Sequence, residues 1–213
     1  MPGKKHIHST DTKVLGRIYG TKRGWVFTKK DLTDLGSSSA VLHTLSRLAQ
    51  KGTIHRIARG LYYYPQYHPK LGIIPPSPYE VAKALQSHDA SRLMPTRAYA
   101  ANLLGLSTQV PMKVVFLTDG RARKVKFGNQ EVILKKATSR LMATADTKSG
   151  IVIQALAYLG KDNVADLVLN KIRSVLNQKE ILDLRKHARY APSWIGETMI
   201  RLSQAAEEEE NHG

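Results

Sequence analysis

Residues 37–64 carry the pattern that most constrains the fold. The segment opens with three consecutive serines, which offer N-caps for a helix over 38–51. Two β-prone runs follow, 53–57 and 61–64, and Gly60 between them can take the positive φ that a tight hairpin requires. The segment therefore predicts a helix followed directly by a β-hairpin.

The elements before this segment add two more helices and a strand. Apolar residues at helical spacing predict a helix over 11–19, and 25–27 has the character of a short strand. Thr28 and Asp31 have the spacing of a capping box, which predicts a short helix over 29–35. Helix, strand, helix, turn, helix and hairpin follow one another in the order of a winged helix-turn-helix.

The helix over 38–51 is the element that would enter the major groove of DNA. Its apolar set is Val41, Leu42, Leu45, Leu48 and Ala49, and we assign these to one buried side. His43, Thr44 and Arg47 are then expected on an exposed face, where they can read base edges. The alternative is an ordinary amphipathic helix whose polar face is only solvated.

The hairpin divides into packing residues and an exposed tip. Alternation puts Tyr62 and Tyr64 on one face and Tyr63 on the other, so at least one tyrosine is expected in the core. Arg56 and Arg59 are expected at the tip, where they can meet phosphates. The full set of predicted DNA contacts is Lys29, Lys30, Ser37, Ser38, Ser39, His43, Thr44, Arg47, Lys51, Arg56 and Arg59.

The rest of the chain predicts a second domain, so the fold class is α+β. Residues 1–70 form the first domain, and the proline-rich segment 71–78 is expected to be an extended linker. Within 79–206, strands over 113–118, 124–127 and 131–134 are predicted to form a small antiparallel meander, followed by a helical end. The acidic residues 207–213 are expected to be disordered.

Charge favours a polyanionic partner. Lys and Arg number 33 against 17 Asp and Glu, and residues 1–74 hold 13 basic and 3 acidic side chains. A second basic run lies between residues 121 and 140. It would be either a further nucleic-acid contact or an edge strand protected against aggregation, and its candidates are Arg121, Arg123, Lys124, Lys126, Lys135 and Lys136.

Signals for catalysis, metals and membranes are missing from the sequence. There is no cysteine, no histidine pattern typical of a metal site, no phosphate-binding glycine loop and no nucleophile elbow. We therefore expect no metal, no cofactor and no enzymatic activity. No apolar run of membrane-spanning length and no signal peptide is present, so we expect a cytoplasmic protein.

Several short strings resemble one known family. The hairpin sequence "RIARGLYY" (56–63) resembles the wing of AbiEi-like antitoxins of type IV toxin–antitoxin systems. Further strings of that family are "PPSP" (75–78), "GLSTQVP" (105–111), "LTDG" (117–120) and "YAP" (190–192), so the resemblance covers about residues 10 to 200. It implies a winged-helix repressor that binds the promoter of its own operon. It also implies a functional partner, a co-encoded nucleotidyltransferase-like toxin, countered without a stable complex.

Three functional hypotheses follow from these patterns. The first is a non-enzymatic, sequence-specific binder of double-stranded operator DNA with antitoxin activity, and dimeric or cooperative binding is left open. The second is an RNA- or ribosome-associated protein that uses the basic run near residues 121–140. The third is an enzyme with an unrecognised site in the second domain, for which the sequence offers no catalytic group.

Overall fold

Helices and small sheets alternate along the chain, and the predicted α+β class is confirmed. The computed structural model describes residues 9–86, 91–109 and 111–211. Packing separates two units. The first comprises Met1–Ala90 with Val125–Asn129, and the second comprises Ser91–Lys124 with Gln130–Gly213.

The first unit contains the predicted series of elements in the predicted order. Its first six are helix α1 (Thr10–Gly20), strand β1 (Val26–Thr28), a 3-10 helix (Lys29–Leu35), helix α2 (Ser38–Gln50), strand β2 (His55–Ala58) and strand β3 (Leu61–Tyr63). Strand β3 lies between β1 and β2 and is antiparallel to both. The helices start where the sequence offers caps, because Ser9 and Ser37 accept backbone N–H groups and Thr28 with Asp31 forms the capping box.

The core of this unit lies between the helices and the three-stranded sheet. Buried side chains from α1, α2, the 3-10 helix and the strands form one apolar cluster, whose members are Val14, Ile18, Phe27, Leu32, Val41, Leu45, Leu48, Ile54, Tyr62 and Tyr64. Trp25 stacks on Phe27 at 4.3 Å between ring centroids. Burial of these side chains fixes α2 against the sheet that carries the hairpin.

All three tyrosines of the hairpin are buried. Tyr62 and Tyr64 belong to the apolar cluster, whereas Tyr63 lies outside it, as the alternation predicted. The Tyr63 hydroxyl accepts the backbone N–H of Gln66 at 2.9 Å and donates to the carbonyl of Ile74. Tyr63 therefore ties the hairpin to the segment that follows it.

That following segment is not the predicted extended linker. It contains strands β4 (Gln66–His68) and β5 (Gly72–Ile74), which form an antiparallel hairpin, and then helix α3 (Pro78–Gln86), which packs against β1. The prolines of this segment flank the strands or begin the helix, where a missing N–H costs little. The predicted boundary at 71–78 is therefore wrong, because α3 belongs to the first unit.

The second unit contains a four-stranded sheet, apart from residues 125–127 of its edge strand, which fall in the first unit, and the topology of this sheet differs from the predicted meander. It comprises β6 (Leu93–Pro95), β7 (Lys113–Thr118), β8 (Arg123–Phe127) and β9 (Gln130–Lys136) in the order β6-β7-β9-β8. Strand β7 pairs antiparallel with β6 but parallel with β9, in the register Val114 to Val132 and Phe116 to Leu134. The sheet is therefore mixed, and a purely antiparallel sheet is a wrong prediction here.

The apolar content of the strands explains why β9 rather than β8 lies beside β7. Strand β9 contributes the buried Val132 and Leu134, while β8 carries Arg123, Lys124 and Lys126. A central strand is covered on both faces, whereas an edge strand can keep its charges in water. The basic strand therefore takes the edge.

Helices complete the second unit as predicted, and the last of them extends further. They are α4 (Arg97–Leu103), α5 (Lys148–Leu159), α6 (Asp166–Val175), α7 (Gln178–His187) and α8 (Ser193–Asn211), with short 3-10 turns at Leu141–Thr144, Lys161–Asn163 and Ala188–Tyr190. Their apolar faces form a cluster that includes Leu156, Ile172 and Met199. Because α8 continues to Asn211, the predicted disorder of 207–213 is wrong for residues 207–211, and 212–213 lie outside the described residues.

One carboxylate of the second unit makes this part of the fold sensitive to acid. Asp119 accepts the backbone N–H of Arg92 at 2.7 Å and its guanidinium Nε at 2.9 Å. The backbone N–H of Arg92, and after it the guanidinium, hold the pKa of Asp119 below its ordinary value of 3.8. Asp119 thus contributes stability above its unfolded pKa, and this is lost as the pH falls through the lower folded value.

We expect Asp119→Asn to lower the free energy of unfolding by about 1 kcal/mol at pH 7, because the ion pair is partly exposed. The difference from the unsubstituted protein should shrink as the pH falls through the lowered folded pKa of Asp119, because a protonated Asp119 is uncharged, as the asparagine is. Urea titrations at pH 7 and pH 3 measure it, with the exposed Asp162→Asn as the control. A difference that persists unchanged at pH 3 would contradict the electrostatic explanation.

Candidate nucleic-acid interface

Helix α2 exposes both polar and apolar side chains to solvent, but one residue that was predicted to contact DNA is not among them. Ser39, His43 and Ser46 are exposed, but Thr44 is only 2% exposed and donates its hydroxyl hydrogen to Asp11 of α1. Thr44 lies three residues after Val41 and four before Leu48, which places it on the buried stripe of the helix. Thr44 as a base-reading residue is therefore a wrong prediction.

The Arg47 side chain is exposed but already forms an ion pair within the protein. Its guanidinium donates to both carboxylate oxygens of Asp11 at 2.5 Å, so that Asp11 holds Thr44 and Arg47 together. This contact joins the start of α1 to the last turn of α2. In the free protein Arg47 thus fixes the position of α2, and any contact with a base would require it to leave Asp11.

The other two acidic residues of residues 9–74 are also used internally. Asp34 pairs with Arg17 at 2.6 Å, and the Arg17 guanidinium holds the pKa of Asp34 below its ordinary value. Asp31 accepts the backbone N–H and the hydroxyl of Thr28 in the capping box. From residue 35 to residue 79 the sequence has no Asp or Glu at all. Asp34 and Asp11 therefore neutralise Arg17 and Arg47, and the basic side chains of 48–79 have no acidic neighbours in sequence.

An open groove of about 630 Å³ lies between α2 and the hairpin of β2 and β3. The helix supplies Leu42, Ser46, Ala49 and Gln50 to one wall, and the hairpin supplies Arg56, Arg59, Gly60 and Tyr62 to the other. Strands β2 and β3 are joined by Arg59 and Gly60, and Gly60 has the left-handed φ of 73° that this turn needs. Arg56 and Arg59 are exposed and form no ion pair with any residue in the described part of the chain.

The beginning of α2 brings several predicted contact residues together. Ser37 caps the helix by accepting the N–H of Ala40 at 3.3 Å, and Lys29 donates its Nζ hydrogen to the Ser38 hydroxyl at 2.8 Å. Ser39 is exposed beside them. The remaining two, Lys30 and Lys51, are also exposed, in the 3-10 helix and just after α2. The predicted set therefore surrounds α2, apart from the buried Thr44.

Three further residues belong to this surface and were not predicted. Leu42 is 42% exposed, although we assigned it to the buried side, and Ser46 and Gln50 line the groove with it. Leu42 immediately follows Val41, so it is turned by about 100° from the buried stripe. Ser46 and Gln50 lie on the polar side of the helix by sequence, and a helical projection centred on Val41, Leu45 and Leu48 would have identified Leu42 as outward-facing too.

The second basic patch lies on the edge strand β8 and on β9. Arg121, Lys126, Lys135 and Lys136 are exposed, Arg123 is half-buried, and Lys124 pairs with Glu131 at 2.8 Å. Lys124 and Lys126 alternate on one side of β8, as in a strand that is protected against edge pairing. Both sequence interpretations of this patch, nucleic-acid contact and edge protection, remain compatible with this geometry.

Across 9–86, 91–109 and 111–211, no three His, Asp or Glu side chains come together as a metal site. In the same residues, no helix combines the length and the apolarity that crossing a membrane demands.

Comparison with known proteins gives a family and a distant structural neighbour. The crystal structure of the RV2827C protein from Mycobacterium tuberculosis is 14% identical and matches 92% of this chain and 77% of its own length, with a TM-score of 0.46. No curated protein matches in sequence. The model of a family described as a family of unknown function, DUF6088, matches residues 13–184. The chain therefore belongs to the DUF6088 family.

Proposed function

We propose that the first unit is a winged helix-turn-helix that binds duplex DNA, and that the protein represses its own operon. The observation that carries this proposal is the groove between α2 and the β2–β3 hairpin. Arg56 and Arg59 stand on one side of it without ion pairs to described residues, and the exposed face of α2 stands on the other. No acid occurs in the sequence that forms either wall.

The geometry suggests how the surface would meet a duplex. Helix α2 would lie in the major groove, with Ser39, His43 and Ser46 toward base edges. One phosphate backbone would then run along the groove between α2 and the hairpin, where Arg56 and Arg59 can neutralise it. Leu42 would offer an apolar contact, which suits the methyl group of thymine.

The antitoxin part of the proposal rests on the AbiEi-like strings. By that resemblance, the protein is the cytoplasmic, non-enzymatic antitoxin of a type IV system and counters a co-encoded nucleotidyltransferase-like toxin without a stable complex. Co-expression with the nucleotidyltransferase-like toxin that the resemblance implies, once its gene is identified, tests this part. Growth that is restored by this protein supports it. Growth that stays arrested would remove the antitoxin role and leave DNA binding to be judged separately.

DNA binding itself is tested by fluorescence anisotropy with a labelled duplex from upstream of the protein's own reading frame. We expect that duplex to bind at least a thousandfold more tightly than a shuffled duplex of the same composition. Unlabelled structured RNA is the competitor that examines the alternative function. If RNA displaces the protein better than the unlabelled duplex does, the RNA-binding hypothesis replaces this one.

Adjacent residues of α2 provide a matched pair of variants. His43→Ala removes an exposed side chain and should reduce discrimination between the operator and the shuffled duplex by about 1 to 3 kcal/mol, without changing the salt slope. Thr44→Val removes one buried hydrogen bond to Asp11 but leaves the Arg47–Asp11 pair that orients α2, so it should leave that discrimination unchanged. Anisotropy titrations of both variants on both duplexes measure the effect. Equal losses would show that α2 acts only through its stability.

A further inference from the structure

Four exposed cations lie together in the second unit, where strands β7 and β9 end. The two strands are parallel and in register up to Thr118 and Lys136, so their last residues are neighbours. Arg121 lies three residues after the end of β7, and Arg140 lies four residues after the end of β9. We call this surface the basic end, and its members are Arg121, Lys135, Lys136 and Arg140.

Backbone hydrogen bonds fix the segment that carries three of these cations. The N–H of Ala137 donates to the carbonyl of Thr118 at 2.9 Å and so extends the pairing of β9 with β7. The N–H of Met142 donates to the carbonyl of Thr138 at 3.1 Å, which closes a turn. The side chains of Thr138 and Ser139 are exposed between these two bonds. The segment is therefore positioned before any partner binds, which lowers the entropy cost of binding.

The acidic residues of this part of the sequence pair with other cations. Between residues 114 and 145 the sequence contains two acids, Asp119 and Glu131. Asp119 binds Arg92 at 2.9 Å, and Glu131 binds Lys124 at 2.8 Å. No cation of the basic end forms an ion pair with a residue in the described part of the chain. The positive charge of the basic end is therefore available to an external anion.

Protection of a sheet edge does not account for these four charges. Lysines deter unwanted pairing when they lie on an edge strand, and β8 has that position in this sheet. Lys135 and Lys136 belong instead to β9, which has β7 on one side and β8 on the other. Arg121 and Arg140 belong to no strand. The basic end therefore needs a different explanation from the lysines of β8.

The side chains of this surface indicate which anion it fits. Cations with neighbouring hydroxyls, here those of Thr138 and Ser139, are the groups that proteins direct to the phosphates and sugars of nucleic acids. Proteins that bind single strands also use exposed aromatic rings, on which bases stack. The aromatic residues between 113 and 140 are Phe116 and Phe127, and both are buried. The basic end therefore suits the phosphate backbone of a duplex.

We propose that the basic end binds the phosphate backbone of duplex DNA, so that the second unit contributes its own contact with the nucleic acid. The choice of DNA as the duplex rests on the proposed function. The contact adds affinity for the operator and for the shuffled duplex alike, because phosphates carry no sequence information. Each cation that neutralises a phosphate adds about 0.9 to the slope of log Kobs against log salt.

A charge-matched pair of variants tests this contact by anisotropy on both duplexes. The basic-end variant carries Lys135→Gln, Lys136→Gln and Arg140→Gln. The control variant removes the same charge from exposed residues elsewhere in the second unit and carries Lys161→Gln, Lys179→Gln and Arg201→Gln. We expect the basic-end variant to bind at least about tenfold more weakly, the value of one charge-assisted contact. Its salt slope should be shallower by about 0.9 for each phosphate contact that is lost. The control variant should keep both quantities nearly unchanged, and equal changes in the two variants would overturn the proposal.

Acetylation of lysines measures the contact directly in the unsubstituted protein. With the duplex at a saturating concentration, Lys135 and Lys136 should react several-fold more slowly than without it, as read by peptide mass spectrometry. The exposed Lys161 should react at the same rate in both conditions. Unchanged rates at both Lys135 and Lys136 would overturn the proposal.

Alanine at both Arg56 and Arg59 separates this proposal from the proposed function. If that double variant loses duplex binding while the basic-end variant keeps it, the first unit binds DNA and the present proposal is overturned. If the basic-end variant loses duplex binding while the double variant keeps it, the contact of the second unit is supported and the role of the α2 groove is rejected. If the basic-end variant loses binding of structured RNA but not of the duplex, the surface serves RNA and the proposal is overturned.

Discussion

The double substitution of Arg56 and Arg59 by alanine should weaken the binding of any duplex about 100-fold. Both side chains line the groove beside α2 and are free of ion pairs within the described residues. Each charge-assisted contact with a phosphate contributes about 1.5 kcal/mol to binding. The loss of two such contacts costs about 3 kcal/mol, which is about a 100-fold loss of affinity. The operator and the shuffled duplex should lose equally, because phosphates carry no sequence information.

The salt dependence makes this prediction specific. Each lost phosphate contact reduces the slope of log Kobs against log salt by about 0.9, so the double variant should be shallower by about 1.8. Anisotropy titrations between about 50 and 200 mM salt, the range over which such slopes are usually compared, provide the slope. Arg201→Ala, an exposed arginine of α8, serves as the control and should change neither quantity. A weaker affinity with an unchanged slope would mean that the arginines do not contact phosphates.

Gly150→Ala should lower the stability of the second unit by about 3 kcal/mol, at the upper end of what overpacking usually costs. A Cβ atom at this position would lie 2.3 Å from the carbonyl oxygen of Thr144 and 3.1 Å from the sulfur of Met94. The first neighbour is backbone, so it cannot turn aside as a flexible side chain would. Helix propensity alone would predict a gain of about 1 kcal/mol from the same change.

Two tryptophans allow this loss to be assigned to its unit. Trp25 lies in the first unit and Trp194 in the second, so fluorescence in a Trp25→Phe background follows the second unit alone. Gly16→Ala in α1 is the matched control, because a Cβ there meets nothing within 4 Å. It should raise the stability of the first unit by about 1 kcal/mol, measured in a Trp194→Phe background. If Gly150→Ala also raised stability, the close approach of α5 to Thr144 would be in doubt.

Local sequence signals were sufficient to predict most of the helices and strands of the first unit. Ser37, the capping box at Thr28 and the left-handed Gly60 each act within a few residues, and all three are found where the sequence predicts them. The burial of Val41, Leu45 and Leu48 likewise follows from a period of 3.6. Such features are encoded by neighbouring residues, so a single sequence reveals them.

The features that were missed depend on partners distant in sequence. Strand β9 pairs with β7 because its apolar residues are buried at the centre of the sheet, whereas the basic β8 stays at the edge. This outcome depends on a comparison of two strands, which the local pattern of either strand does not reveal. The hairpin of β4 and β5 needs the Tyr63 hydroxyl, which the proline-rich segment alone does not indicate. Thr44 has a polar side chain in an apolar stripe, and its partner Asp11 lies 33 residues away.

The triad of Asp11, Thr44 and Arg47 bears on how this surface could change between relatives. Asp11 lies outside the helix and hairpin that form the candidate interface, yet it bonds to two residues of α2. The orientation of α2 therefore depends partly on α1, so α2 cannot be transferred to another protein as an independent element. A graft of residues 37–64 onto another scaffold would carry the side chains without the tether that orients them. Relatives that bind different DNA sequences are then expected to keep Asp11 and Arg47 as a pair, while the outward-facing residues of α2 vary.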